Sequence, residues 1–362
     1  MDNTAMLQKM LDKGGFVQIP DGFYEVRKTL EVGDNTHVFC SPRTHIRLAD
    51  HANCPILANK EKKKGEKTVG VTVEGGIWDG NNLGQVRAEY TGRFAHSKGE
   101  LFSFFDMKKF TVRSLTIKDA NSYGLTITDT EDFTFEDIFF DCNNKTLNMD
   151  GIHINGYANE GYLHNIKGNT NDDMIALNSD EGLFYTENND ITNITIDGIY
   201  GGDDGWTAVR LLSRKAHVRN IVIRNIYGAY KFNLVSFTHW AQNDPTQTDL
   251  GFFENIVIEN VFGTSCRKSG SGHGGLIWFQ DGVEHVGNVV IRNMMRTEGL
   301  EMLNSTHGID IGAGVKIKRL IMENIWQDIP DDKPLIWAGH DAEIGEFKMD
   351  GQDLNLADYI TY

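Results

Sequence analysis

Apolar and polar residues alternate in short bursts along most of this chain, and eight of those bursts share one phrase. It reads SLTIKDA from Ser114, EDIFFDC from Glu136, HNIKGNT from His164 and TNITIDG from Thr192. It continues as RNIVIRN from Arg219, ENIVIEN from Glu254, GNVVIRN from Gly287 and KRLIMEN from Lys318. The leading apolar residues are Leu115, Ile138, Ile166, Ile194, Ile221, Ile256, Val289 and Leu320, separated by 23, 28, 28, 27, 35, 33 and 31 positions. Strict alternation with β-branched residues is the signature of strands. One such phrase per 23 to 35 residues, punctuated by Gly, Asn and Asp, fits the coils of a β-solenoid. A leucine-rich repeat has a shorter period and a leucine spacing absent here, and a propeller needs a more regular period.

The expected fold is therefore all-β: a single right-handed parallel β-helix spanning residues 1–362. Ile and Val would form inward ladders. The Asn or Asp near the end of each phrase (Asp119, Asp141, Asn169, Asp197, Asn225, Asn260, Asn293, Asn324) would sit where the chain turns. Residues 3–13 form the one amphipathic helix expected, capped by Asn3 or Thr4, striped by Met6, Leu7, Met10 and Leu11, and stopped by Gly14–Gly15. It would cover the open N-terminal end, since an exposed terminal coil invites edge pairing. Breaks in the rhythm mark loops at Asn59–Lys67, Asn81–Lys98, Ala241–Leu250 and Arg267–Gly275.

Composition narrows the partners. The net charge is −16, from 51 acidic and 35 basic residues, which disfavours nucleic acid and polyanionic substrates at long range. No run is long enough to span a membrane. The N-terminus lacks the basic start and apolar stretch of a secretory signal, so a cytoplasmic protein or a processed secreted form is expected. Cys40, Cys54, Cys142 and Cys266 are too few and too irregular for a disulfide framework or a zinc site, and read as buried thiols.

The chemistry gathers between Asn148 and Asp180. Asp150 precedes the alternating stretch Ile152–His153–Ile154, and Asp172 and Asp173 precede Met174–Ile175–Ala176–Leu177. The separation, 172 − 150 = 22, is one coil. Equivalent positions on neighbouring coils lie about 4.8 Å apart, so the three carboxylates should meet on one outer face. Neighbouring strand residues point to opposite faces, so Asp172 and Asp173 can share a face only where the backbone bends, and Asn171 suits a bend. Like charges at that distance raise at least one pKa and share a proton, which equips a site for general acid and base work together. Glycoside hydrolysis needs that pairing. Plain Asx turns and a calcium site are the competing readings of the same residues; no metal or cofactor is assigned.

The motifs resemble those of glycoside hydrolase family 28, the polygalacturonase family of parallel β-helices in the pectin-lyase-like superfamily. Asn148-Met149-Asp150-Gly151 is similar to its Asn-Thr-Asp-Gly motif. Asn171-Asp172-Asp173 is similar to its Gly-Asp-Asp motif, and Gly75–Asn82 resembles its upstream Gly-rich coil. The resemblance implies Asp172 as general acid, Asp150 and Asp173 as bases holding the attacking water, and inversion at the anomeric carbon. The chain departs from the family further on. Asp204–Arg210 has no histidine where Gly-His-Gly is expected, and Leu234–Trp240 lacks the cations of Arg-Ile-Lys. The expected substrate is therefore a carbohydrate other than plain galacturonan. His153, Trp206, Arg210, His239 and Trp240 are the candidates to line its site, through imidazoles, a guanidinium and aromatic faces. A uronate lyase or epimerase and a non-catalytic carbohydrate-binding solenoid are the alternative functions.

Overall fold

The computed structural model describes residues 2–95, 99–180, 189–202, 205–239, 250–265, 275–297, 307–328 and 334–360. The chain winds into a right-handed parallel β-helix in which each strand pairs in parallel with its counterpart one coil on. One inward column runs Leu57, Phe102, Leu125, Ile152, Ile175, Val209, Val235, Ile277, Ile309 and Ile336. All are buried. Burying each such side chain contributes about 1.5–3 kcal/mol, so the stacked columns hold the coils together. The adjacent outward row runs Ser103, Thr126, His153, Ala176, Arg210, Ser236, Trp278, Asp310 and Trp337, and it carries the site.

The repeated phrase occupies two registers, not one. Leu115 pairs with Ile138 and Ile138 with Ile166, but Ile166 pairs with Ile199. Ile194 instead faces Gly161 and leads the column Ile221, Ile256, Val289 and Leu320. The first three phrases thus lie five residues further along the strand than the last five. The reason is local. Long strands such as His217–Tyr230 contain two left-handed positions five residues apart, Asn220 (φ 57) and Asn225 (φ 60), each followed by an apolar pair or triplet. Either half of the strand can carry the phrase.

Asn tolerates that left-handed backbone because its short polar side chain bonds locally. Here the amides also bond between coils. Asn225 donates to Asp197 (2.6 Å), Asn260 to Asn225 (2.9 Å), Asn293 to Asn260 (3.0 Å) and Asn324 to Asn293 (2.9 Å). Of the expected turn residues, Asp119 and these four asparagines have positive φ, whereas Asp141, Asn169 and Asp197 do not.

The N-terminal helix runs Thr4–Leu11. Its cap is Asp2, whose Oδ1 accepts from the Thr4 N–H at 2.9 Å. Asn3 makes no side-chain cap bond and accepts from the Glu25 N–H instead. Leu7 and Leu11 close the core while Met6 is exposed. Cys40, Cys54 and Cys142 are free thiols, and burial pushes the Cys40 thiol up to about 12; Cys266 lies outside the described residues.

Removing one ladder amide should separate its two contributions. Asn260→Ala loses both amide bonds and places a Cβ in left-handed backbone, while Asn260→Gly loses the bonds alone. Urea unfolding is expected to show the alanine variant about 1 kcal/mol less stable than the glycine variant. Equal stabilities would mean that the backbone conformation at residue 260 is not as described.

Candidate active site

Two short strands, Ile152–Asn155 and Ile175–Asn178, position the acidic residues. Both are preceded by bends, and the bends stack as the strands do. The Gly151 N–H donates to the Asp173 carbonyl (2.9 Å), and the Trp206 N–H donates to the Asp172 carbonyl (3.1 Å). The approach is close enough to require glycine at 151, where a Cβ would stand 2.5 Å from the Met174 carbonyl oxygen. Asn171 braces the second bend. Its Oδ1 accepts from the Met149 N–H at 2.9 Å, and its amide donates to the Thr146 carbonyl. The bend is what lets both Asp172 and Asp173 face the same side.

The three carboxylates do meet. One oxygen each of Asp150, Asp172 and Asp173 lies within 4.8 Å of the others. Asp150 and Asp173 are only 3% and 2% exposed, whereas Asp172 is partly exposed. Burial, reinforced by the charges of Asp173 and Asp150, pushes the Asp172 carboxyl up to about 9. Burial also lifts Asp173, to about 7. There the guanidinium of Arg210 and a hydrogen bond from Thr207 work against the rise, and the charge of Asp150 adds to it.

The other expected site residues divide. Arg210 points outward between Val209 and Leu211, and its Nε lies 3.0 Å from Asp173 Oδ2. The N–H is not aimed along that line, so the contact acts through charge. His153 shares the outward row but is fully buried. Its Nδ1 is 2.5 Å from Asp150 Oδ2, its Nε2 3.2 Å from the amide nitrogen of Asn178, and its ring is stacked on Tyr123 with centroids 3.9 Å apart. It therefore faces Asp150 and not solvent. Trp206 is 39% exposed and lies beside Phe232, with ring centroids 5.8 Å apart. His239 lies beyond the end of Asn233–Thr238, with Nε2 2.8 Å from the Asp281 carbonyl oxygen. Trp240 lies outside the described residues.

Three residues were not legible as parts of the site. Tyr123 stacks on His153 from the preceding coil, Asn178 meets its Nε2 from the following coil, and Thr207 reaches Asp173 from one coil on. Only Asn178 carried a signal, as the polar residue ending an alternating strand.

A divalent cation is the rival occupant of three converging carboxylates. The fixed guanidinium of Arg210 beside Asp173 would repel it, and a shared proton satisfies the same cluster. A cluster that holds a shared proton can both donate and accept one.

Residues 49–226 match the model of the family described as glycosyl hydrolases family 28. That stretch contains all three aspartates, Trp206 and Arg210. Exopolygalacturonase of Oenothera organensis is 23% identical over 194 residues, covering 52% of this chain and 50% of that one. The chain thus spans about half the length of this curated relative. Endo-xylogalacturonan hydrolase of Aspergillus tubingensis superimposes with a TM-score of 0.67 at 13% identity, covering 93% of this chain and 92% of that one. The A-module of the mannuronan C-5 epimerase AlgE6 of Azotobacter vinelandii gives 0.58 at 15% identity, covering 96% of each. At these identities the two structures establish the fold alone.

The raised carboxyls link stability to pH. An unfolded aspartate titrates near 3.8, while Asp173 and Asp172 titrate near 7 and 9 in the folded chain. The folded state therefore holds protons that the unfolded state has lost. That stabilisation is complete below the unfolded value and disappears as pH rises through the folded ones. Thermal midpoints of the wild type should fall between about pH 4 and 9, and Asp172→Asn, which cannot ionise, should fall less steeply. Parallel curves would show that Asp172 is already ionised when folded.

Proposed function

We propose that this chain, a member of glycosyl hydrolases family 28 over residues 49–226, hydrolyses a glycosidic bond with Asp172 as general acid and Asp150 and Asp173 as the bases of an attacking water. The observation that carries this reading is the asymmetry within the cluster. Asp172 alone of the three is partly exposed, and its carboxyl is the one pushed highest, to about 9. A proton donor must touch the leaving oxygen and still hold its proton at working pH, and Asp172 meets both demands. Asp150 and Asp173 are too deeply buried to reach a sugar carbon themselves. They can act on it through a water, and such a water would attack opposite the leaving group and invert the anomeric centre.

One observation favours a second outcome. Carboxylates spaced about 5–5.5 Å apart belong to retaining enzymes, whereas about 6.5–9.5 Å leaves room for the water of an inverting one. The cluster, within 4.8 Å, lies on the retaining side of that rule. Burial of the two would-be nucleophiles weighs more heavily here, because a covalent intermediate requires direct contact.

The substrate proposed is a neutral or decorated glycan in place of plain galacturonan. Arg210 is engaged with Asp173. Ser236, buried on the outward row, stands within the stretch where the family's cations are expected. The acidic chain repels polyuronate as well. Two of the proteins described above act, by their names, on galacturonan and xylogalacturonan, so pectic structures are the first substrates to try.

Incubation with polygalacturonate, xylogalacturonan and neutral pectic side chains, followed by NMR of the fresh product, tests both points. We expect the inverted anomer first, and turnover of polygalacturonate at least about tenfold below the best substrate, a difference of about 1.4 kcal/mol in barrier. Retention of configuration, or polygalacturonate as the best substrate, would contradict the reading. Asp172→Asn is expected to lower kcat by about 10²–10⁴-fold, the usual contribution of a positioned acid, with substrate binding retained. On an aryl glycoside whose leaving group needs no proton, the loss should be much smaller.

A further inference from the structure

We infer that His153 is a positioning residue whose Nδ1–H grips the Asp150 carboxylate, so that the proton of this pair resides on the imidazole and Asp150 is left as a base. Its use in catalysis rests on the hydrolase reading above; the arrangement of the pair does not. Both partners are buried, at 0% and 3% exposure, and Nδ1 stands 2.5 Å from Asp150 Oδ2. A charged acceptor shielded from water makes a strong, short hydrogen bond.

Three neighbours fix the ring. The amide nitrogen of Asn178, 3.2 Å from Nε2, donates to it, so a neutral ring keeps its own proton on Nδ1. Tyr123 lies flat on the imidazole, 3.9 Å between centroids and 6° between planes, which blocks rotation about the Cβ–Cγ bond. On the outward row the next rung is Ala176, whose small side chain leaves the imidazole room beneath the acidic bends.

The charges that face the pair come from the following coils. Asp172 and Asp173 are carboxylic groups that repel a second negative charge, and Arg210 offsets one of them. With Asp150 held by His153 and Asp173 by Arg210 and Thr207, Asp172 is the one member of the cluster without a dedicated donor among the described contacts. The shared proton therefore settles on Asp172, and the division between acid and bases follows from which carboxylate has a backing group.

The test needs no substrate, so a failed glycan screen leaves it intact and its own failure leaves the screen standing. The whole chain is labelled with ¹⁵N in histidine and ¹³C in aspartate carboxyls and titrated from about pH 3 to 9, a range that brackets the ordinary values of a free aspartate and a free histidine. The His153 and Asp150 signals are assigned by their loss in variants. In the wild type we expect a proton on Nδ1 of His153 near neutral pH. An asparagine amide overlays the Nδ1 position and a glutamine amide overlays Nε2. His153→Asn should therefore keep the Asp150 carboxyl ¹³C signal near its wild-type position, and His153→Gln, which removes the donor from that carboxylate, should move it. A bare Nδ1 in the wild type near neutral pH, or the same Asp150 carboxyl signal in both variants, would overturn the inference. Should His153→Gln fail to fold, the wild-type ¹⁵N spectrum alone decides, because the inference requires a protonated Nδ1.

Discussion

Three carboxylates held within 4.8 Å of one another constrain everything else about this molecule. They cannot all be ionised in a buried place, so the cluster must hold a proton, and the surrounding residues decide where. Each supporting feature answers to that demand. Arg210 and Thr207 stabilise the charge of Asp173, His153 faces Asp150, and the partly open Asp172 is left with the highest affinity for the proton.

The solenoid supplies the crowding without cost in design. Parallel coils repeat at the spacing of strands, so side chains at equivalent positions are brought together whether or not they attract. On most of the surface the chain exploits this with pairs that do attract. Asn225, Asn260, Asn293 and Asn324 bond amide to amide, and Arg224 meets Asp197 at 2.9 Å. At the bends before residues 151 and 174 the same geometry stacks like charges. A stable scaffold of buried Ile and Val columns is what tolerates that repulsion.

Much of this was legible in the chain. Alternation with β-branched residues revealed the coils, and a spacing of 22 residues between Asp150 and Asp172 placed the acids together. What stayed hidden depended on register. The phrase around Ile138 and the one around Ile194 look alike, yet they occupy positions five residues apart, because long strands such as His217–Tyr230 have two left-handed bends five residues apart. His153 was legible as an outward residue from its place between Ile152 and Ile154. Its burial was not, since Tyr123 and Asn178 come from other coils and no local pattern announces a stacking partner. Likewise Arg210 was readable as a candidate cation, but its ion pair with Asp173 required the coil-to-coil alignment of Val209 with Ile175.

The account stands most directly on the location of one proton. Neutron diffraction from crystals of the wild-type protein exchanged into heavy water near neutral pH would show it. The account predicts deuterium on the carboxyl of Asp172 and a bare carboxylate at Asp150. Deuterium on Asp150, or three bare carboxylates, would contradict it.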